Sequence, residues 1–143
     1  MSLHRFGAIA TAAIALVLAV GSVGALAATR TTITLNSFAV ETFTATGGVI
    51  CPSGTATTNF DHFGGGPRAG SFHLTKDLVC DDGSGSFTIA VNAATVFGSP
   101  TDQGGWAVLG GTGSYSTLSG GGNVVGTYVT GGIIDSYTGS LRT

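Results

Sequence analysis

The chain has few side chains that can do chemistry, and they can be weighed one by one. Its 143 residues carry five basic, seven acidic and three His side chains. Glu41 is the only Glu and Lys76 the only Lys. Asp61-His62, with His73 beyond it, has the residue types of a general base or a metal-ligand pair. However, residues 59–63 run straight into Gly64-Gly65-Gly66-Pro67, the composition of a solvated loop. Asp77, Asp81 and Asp82 lack the Glu that closes an EF-hand loop, so Asp81-Asp82-Gly83 reads as a turn. No Ser stands in G-x-S-x-G. What remains is the chemistry of an enclosed, mostly apolar mouth. Glu41, His73 and Asp135 are its polar candidates, and Trp106, Tyr115, Tyr128 and Tyr137 its aromatic ones. Together with Phe43, Phe72 and Phe87, these rings either line a cavity for one small apolar ligand or fill it, and a chain this short favours filling. No pattern calls for a metal ion or a cofactor.

The elements that must position these residues are strands. Apolar and polar residues alternate with a period of two over residues 31–35, 38–46, 71–79, 86–93, 122–129 and 133–141, with a short apolar strand at 106–109. Phe87, Ile89, Val91 and Ala93 share one face, as do Ile133, Asp135, Tyr137, Gly139 and Leu141. A slip in phase near Phe43 predicts a bulge. Gly, Ser, Asp and Pro clusters at 46–48, 64–70, 81–85, 98–105, 110–113 and 130–132 mark the turns. About eight short antiparallel strands predict an all-β domain, a small closed or nearly closed barrel, with a β-sandwich as the alternative. Glycines beside the strands favour the barrel, because they let a small sheet bend enough to close.

Composition narrows the class further. Charged residues make up 8% and apolar ones 43% of the chain, which excludes charge-driven disorder and helical bundles. The absence of a basic cluster argues against nucleic acid as a partner. Residues 6–28 carry no charge, and Ala25 and Ala27 form an A-x-A cleavage pattern. Residues 1–27 therefore read as the helix of a secretory signal peptide and 28–143 as one secreted, extracellular domain. Left uncleaved, the same segment is long enough to anchor the chain in a membrane. In an oxidising compartment, the only two cysteines, Cys51 and Cys80, read as one disulfide.

One stretch is more distinctive than the rest. Trp106 leads a strand into Gly110-Gly111-Thr112-Gly113, followed by Tyr115, Leu118 and further glycines. The glycines serve a chain reversal, after which Tyr115 and Leu118 can cap one mouth of the barrel. Neither G-x-G-x-x-G nor a P-loop is satisfied, which sets aside a phosphate cradle. With Asp135-Ser136-Tyr137-Thr138-Gly139 and the turn from Cys80 to Phe87, this stretch resembles the allene oxide cyclase and dirigent barrel superfamily, in particular its bacterial secreted members. The resemblance implies a barrel whose lumen accommodates an apolar molecule, a cyclase or isomerase activity in the enzymatic members, and frequent trimers. Ser119 stands where dirigent proteins carry an Arg, and Glu41 has no matching position in the cyclase motif, so neither activity carries over residue by residue. A non-enzymatic binding or structural protein is the leading expectation, and a cyclase or isomerase the alternative.

Overall fold

The computed structural model describes residues 27–143. The signal-peptide reading of 1–27 falls, except for Ala27, outside the described residues. The rest forms eight strands: β1 (Thr29–Ser37), β2 (Thr42–Thr46), β3 (Ser53–Gly65), β4 (Ala69–Cys80), β5 (Ser86–Val96), β6 (Thr101–Gly111), β7 (Ser119–Val129) and β8 (Gly132–Arg142). Each pairs antiparallel with its sequence neighbour, and β1 pairs with β8, so the sheet closes into a barrel rather than opening into a sandwich. Closure leaves no free sheet edge along β1 and β8, where a meander would otherwise present one.

The alternation predicted for β1, β4, β5 and β8 is the one the barrel uses. Ile33, Leu35, Leu78, Phe87, Ile89 and Leu141 all point inward and are buried. Fully burying an aliphatic or aromatic side chain of this size stabilises the fold by roughly 1.5–3 kcal/mol.

Three regions differ from the sequence expectation. Residues 59–63 are not a loop but the outer half of β3, paired with β4 out to Gly65. The inward positions of β3 are Gly54, Ala56, Thr58 and Phe60, too weakly apolar for the period to show; β4 supplies the pairing that makes the segment a strand. Residues 101–105, expected in a turn, belong to β6 for the same reason, since their inward positions are Asp102 and Gly104. Finally, residues 38–46 are not one bulged strand. Residues 38–41 turn, which leaves Phe38 and Val40 exposed, and β2 begins at Thr42. The register shifts lie elsewhere, between Phe60 and His62 and between Thr88 and Ile89.

The two ends of the barrel differ. At one end, the 47–52 connection buries Ile50 and Cys51, and the disulfide Cys51–Cys80 ties it to the end of β4, with Cα atoms 5.9 Å apart. A single 3-10 turn, Gly113–Tyr115, follows β6 there, started by Gly113 at φ 58°. It brings Tyr115 and Leu118, both buried, over the barrel end. Tyr115 packs edge-on against Phe87, ring centroids 5.5 Å apart, and Phe87 against Phe43 at 6.2 Å. This end is a filled core. The other end, framed by the 38–41, 66–68, 97–100 and 130–131 connections, is open.

Candidate functional site

The open end holds a cavity of about 260 Å³, walled by Phe60, Phe72, Leu74, Val91, Ala93 and Val124, with Tyr128 and Ile133 towards its rim. The expectation of a filled lumen holds for the disulfide end and gives way here. Ala93 occupies an inward position on β5 with only a methyl group, so side chains from that strand do not close the space.

The polar groups come from different strands and meet because a barrel turns alternate residues of every strand onto one axis. Lys76, on β4, is 4% exposed and occupies the inward row with Phe72, Leu74 and Leu78. Its Nζ donates to Thr58 Oγ1 at 2.8 Å and Ser37 Oγ at 3.2 Å. It also lies 3.5 Å from Asp135 Oδ2 and 3.9 Å from Glu41 Oε1. The Thr58 hydroxyl donates to Glu41, 2.8 Å from either carboxylate oxygen, so Thr58 links the lysine to a second acid. Tyr137 OH donates to Asp135 at 3.1 Å.

Asp102 completes the set from β6. Its Oδ1 accepts the Gly126 backbone N–H at 3.0 Å and its Oδ2 the Tyr128 hydroxyl at 3.1 Å. A Cβ at Gly126 would collide with the Asp102 carboxylate and Ile133, so glycine is what makes room for Asp102 to lean over β7. Asp102, Gly126 and Asp135 are consecutive cross-strand partners in one inward row.

Electrostatics follow from burial. Desolvation raises the Asp135 carboxyl above its ordinary value, and the Lys76 charge opposes that rise without cancelling it. Burial, and then the Asp135 charge, push Tyr137 far above the usual phenol range. Burial also raises Tyr128. Both phenols are therefore protonated hydrogen-bond donors at neutral pH. The site can take an apolar body against its walls and hold a polar group at its floor.

The sequence candidates divide by place. Glu41, Tyr128, Asp135 and Tyr137 line the cavity together. Trp106 is buried beneath it, edge-on to Tyr137 at 6.0 Å, and its Nε1–H makes no hydrogen bond. Tyr115 closes the opposite end, accepting the Cys51 N–H at 3.0 Å and lying 2.7 Å from Ser84 Oγ. His73 does not point inward. It stands exposed on the outer face, its ring 6.2 Å from that of its cross-strand partner His62. Two of the four charged residues lining the cavity, Lys76 and Asp102, are not among the sequence candidates. Lys76 shares parity with Phe72, Leu74 and Leu78, and a lone lysine on an apolar strand face was its signal. Asp102 was hidden in the Gly-, Ser- and Pro-rich run taken for a turn.

No family model, curated protein or solved structure matches the chain.

Proposed function

We propose that this chain is a secreted, non-enzymatic β-barrel protein that binds one small, largely apolar ligand in the open end of its lumen. The observation that carries the reading is the cavity itself, apolar in its walls, blind at the disulfide end and polar at its floor. At about 260 Å³ it falls just below the range of pockets that bury drug-sized ligands, so the ligand is smaller than that. Export is supported by the residue pattern of 1–27 and by a disulfide, which persists in oxidising compartments. Calorimetric titration with hexanol tests the reading. Binding is expected in the native chain, and Ala93→Phe, which fills the cavity from its wall, should weaken it by about tenfold or more. Equal affinity in the two proteins, or none in either, would remove the lumen from the account.

One observation favours a second reading, a cyclase or isomerase in keeping with the barrel superfamily the sequence resembles. Asp135 combines a raised proton affinity with a place on the cavity floor, as a carboxyl poised for proton transfer would. Its test is turnover of an apolar epoxide or polyene, lost in Asp135→Asn. The same resemblance supports a trimer, which light scattering on the secreted protein would detect.

A further inference from the structure

The ionisable groups lining the cavity are unequal in sign: Glu41, Asp102 and Asp135 against Lys76 alone. Lys76 is also fully engaged. Three of its four neighbours, Thr58, Ser37 and Asp135, already match the three donors of an ammonium, and Glu41 lies just beyond. Its charge is spent on the two acids it faces, with none left for a ligand anion.

Asp102 has no such partner. It is 7% exposed, and among the described residues no cation lies within ion-pair distance of it. Its two hydrogen bonds come from neutral donors, a backbone N–H and a phenol, which hold the carboxylate in place without balancing it. A buried carboxylate left in this state carries a desolvation cost that an arriving cation would offset. The surroundings suit such a head group. Phe60, Phe72 and Tyr128 present aromatic rings to the same cavity, and ring faces attract cations. Asp135 lies in the same row as Asp102, with only the side-chain-free Gly126 between them.

We infer that the ligand is a small protonated amine, its ammonium held at Asp102 and its apolar body lying against Leu74, Val91 and Val124. This rests on the binding reading above and narrows it to one class of ligand. An apolar carboxylate, which a lone lumenal lysine would first suggest, is disfavoured because that lysine is already neutralised and the remaining charge is negative.

Three probes of one length separate the two ideas: hexylamine, hexanol and hexanoate, titrated calorimetrically into the mature protein at neutral pH and low salt. Hexylamine is expected to bind about tenfold or more tighter than hexanol, the increment of a charge-assisted hydrogen bond, with hexanoate the weakest. Asp102→Asn, which keeps the side-chain shape, should shrink the gap between amine and alcohol to about threefold or less. If hexanol binds and the amine is no tighter, or hexanoate is tightest, the amine inference is overturned while lumenal binding stands. If none of the three binds, both fail. An amine preference that survives in folded Asp102→Asn overturns the assignment to Asp102. Should that variant not fold, the ranking of the three probes on the native chain decides the matter alone.

Discussion

Lys76 Nζ lies 3.5 Å from Asp135 Oδ2, so β4 and β8 are joined through the barrel's interior rather than along its wall. The two strands do not pair with each other. A buried ion pair adds little net stability over a packed apolar pair, but removing one partner leaves the other charge buried alone. Lys76→Met is therefore expected to destabilise the fold by about 3 kcal/mol or more in urea unfolding, and Lys76→Met with Asp135→Leu to recover much of that loss. A double variant no more stable than the single one would show that the lysine's packing, not its charge, holds the barrel.

Asp135 also sets a pH dependence. Burial lifts its folded-state value above the ordinary 3.8, so between those two values the folded chain holds a proton that the unfolded chain has released. The stability this contributes is complete below about 3.8 and is lost as pH rises through the folded-state value. Asp135→Asn lacks that contribution. Relative to the Asn variant, the native protein should lose unfolding free energy as pH climbs from 3.8 through the raised folded-state value. Carboxylates common to both proteins cancel in the difference. A flat difference would mean that Lys76 cancels desolvation, and one that grows with pH that it outweighs it.

At the closed end, the disulfide spans 29 residues and fixes the 47–52 connection over the core. Replacing Cys51 and Cys80 together with Ala is expected to cost roughly 3–4 kcal/mol, measured as the drop in unfolding free energy under non-reducing conditions. Addition of reductant to the native protein should produce a comparable drop. No response to reductant would argue that the two cysteines are not joined.

Tyr115 closes that end without touching the cavity. Tyr115→Phe keeps the ring against Phe87 but leaves the buried Cys51 N–H without its acceptor. A loss of about 1–3 kcal/mol in stability is expected, with hexanol affinity at the far end unchanged. A marked change in affinity would mean that the two ends are coupled.

The sequence made the barrel legible wherever inward positions carry large apolar residues. Phe87, Ile89, Val91 and Ala93 gave β5 its phase, and Tyr137 and Leu141 gave β8 its inner face. It failed where the barrel needs small or polar inward residues. Gly54, Ala56 and Thr58 concealed β3, and Asp102 and Gly104 concealed the start of β6. The site was lost in the same places, because a cavity exists only where large inward side chains are missing, and missing side chains leave no periodic signal. Asp135 and Tyr137 were found because they lie on a strand with a clear phase. Lys76 lies on such a strand too, but a lysine between Leu74 and Leu78 interrupts the apolar row instead of extending it. His73 is a candidate by residue type, but strand parity sets it opposite Phe72 and Leu74, on the outer face.

The most direct test of the central claim is a hexanol titration of the isotopically labelled protein, followed by amide chemical-shift mapping. Saturable shifts are expected at Asp102, Val124, Gly126, Tyr128 and Asp135, with the amides of Cys51, Tyr115 and Leu118 unmoved. Shifts confined to the disulfide end or the outer face, or no saturable shifts at all, would contradict a ligand site in the open lumen.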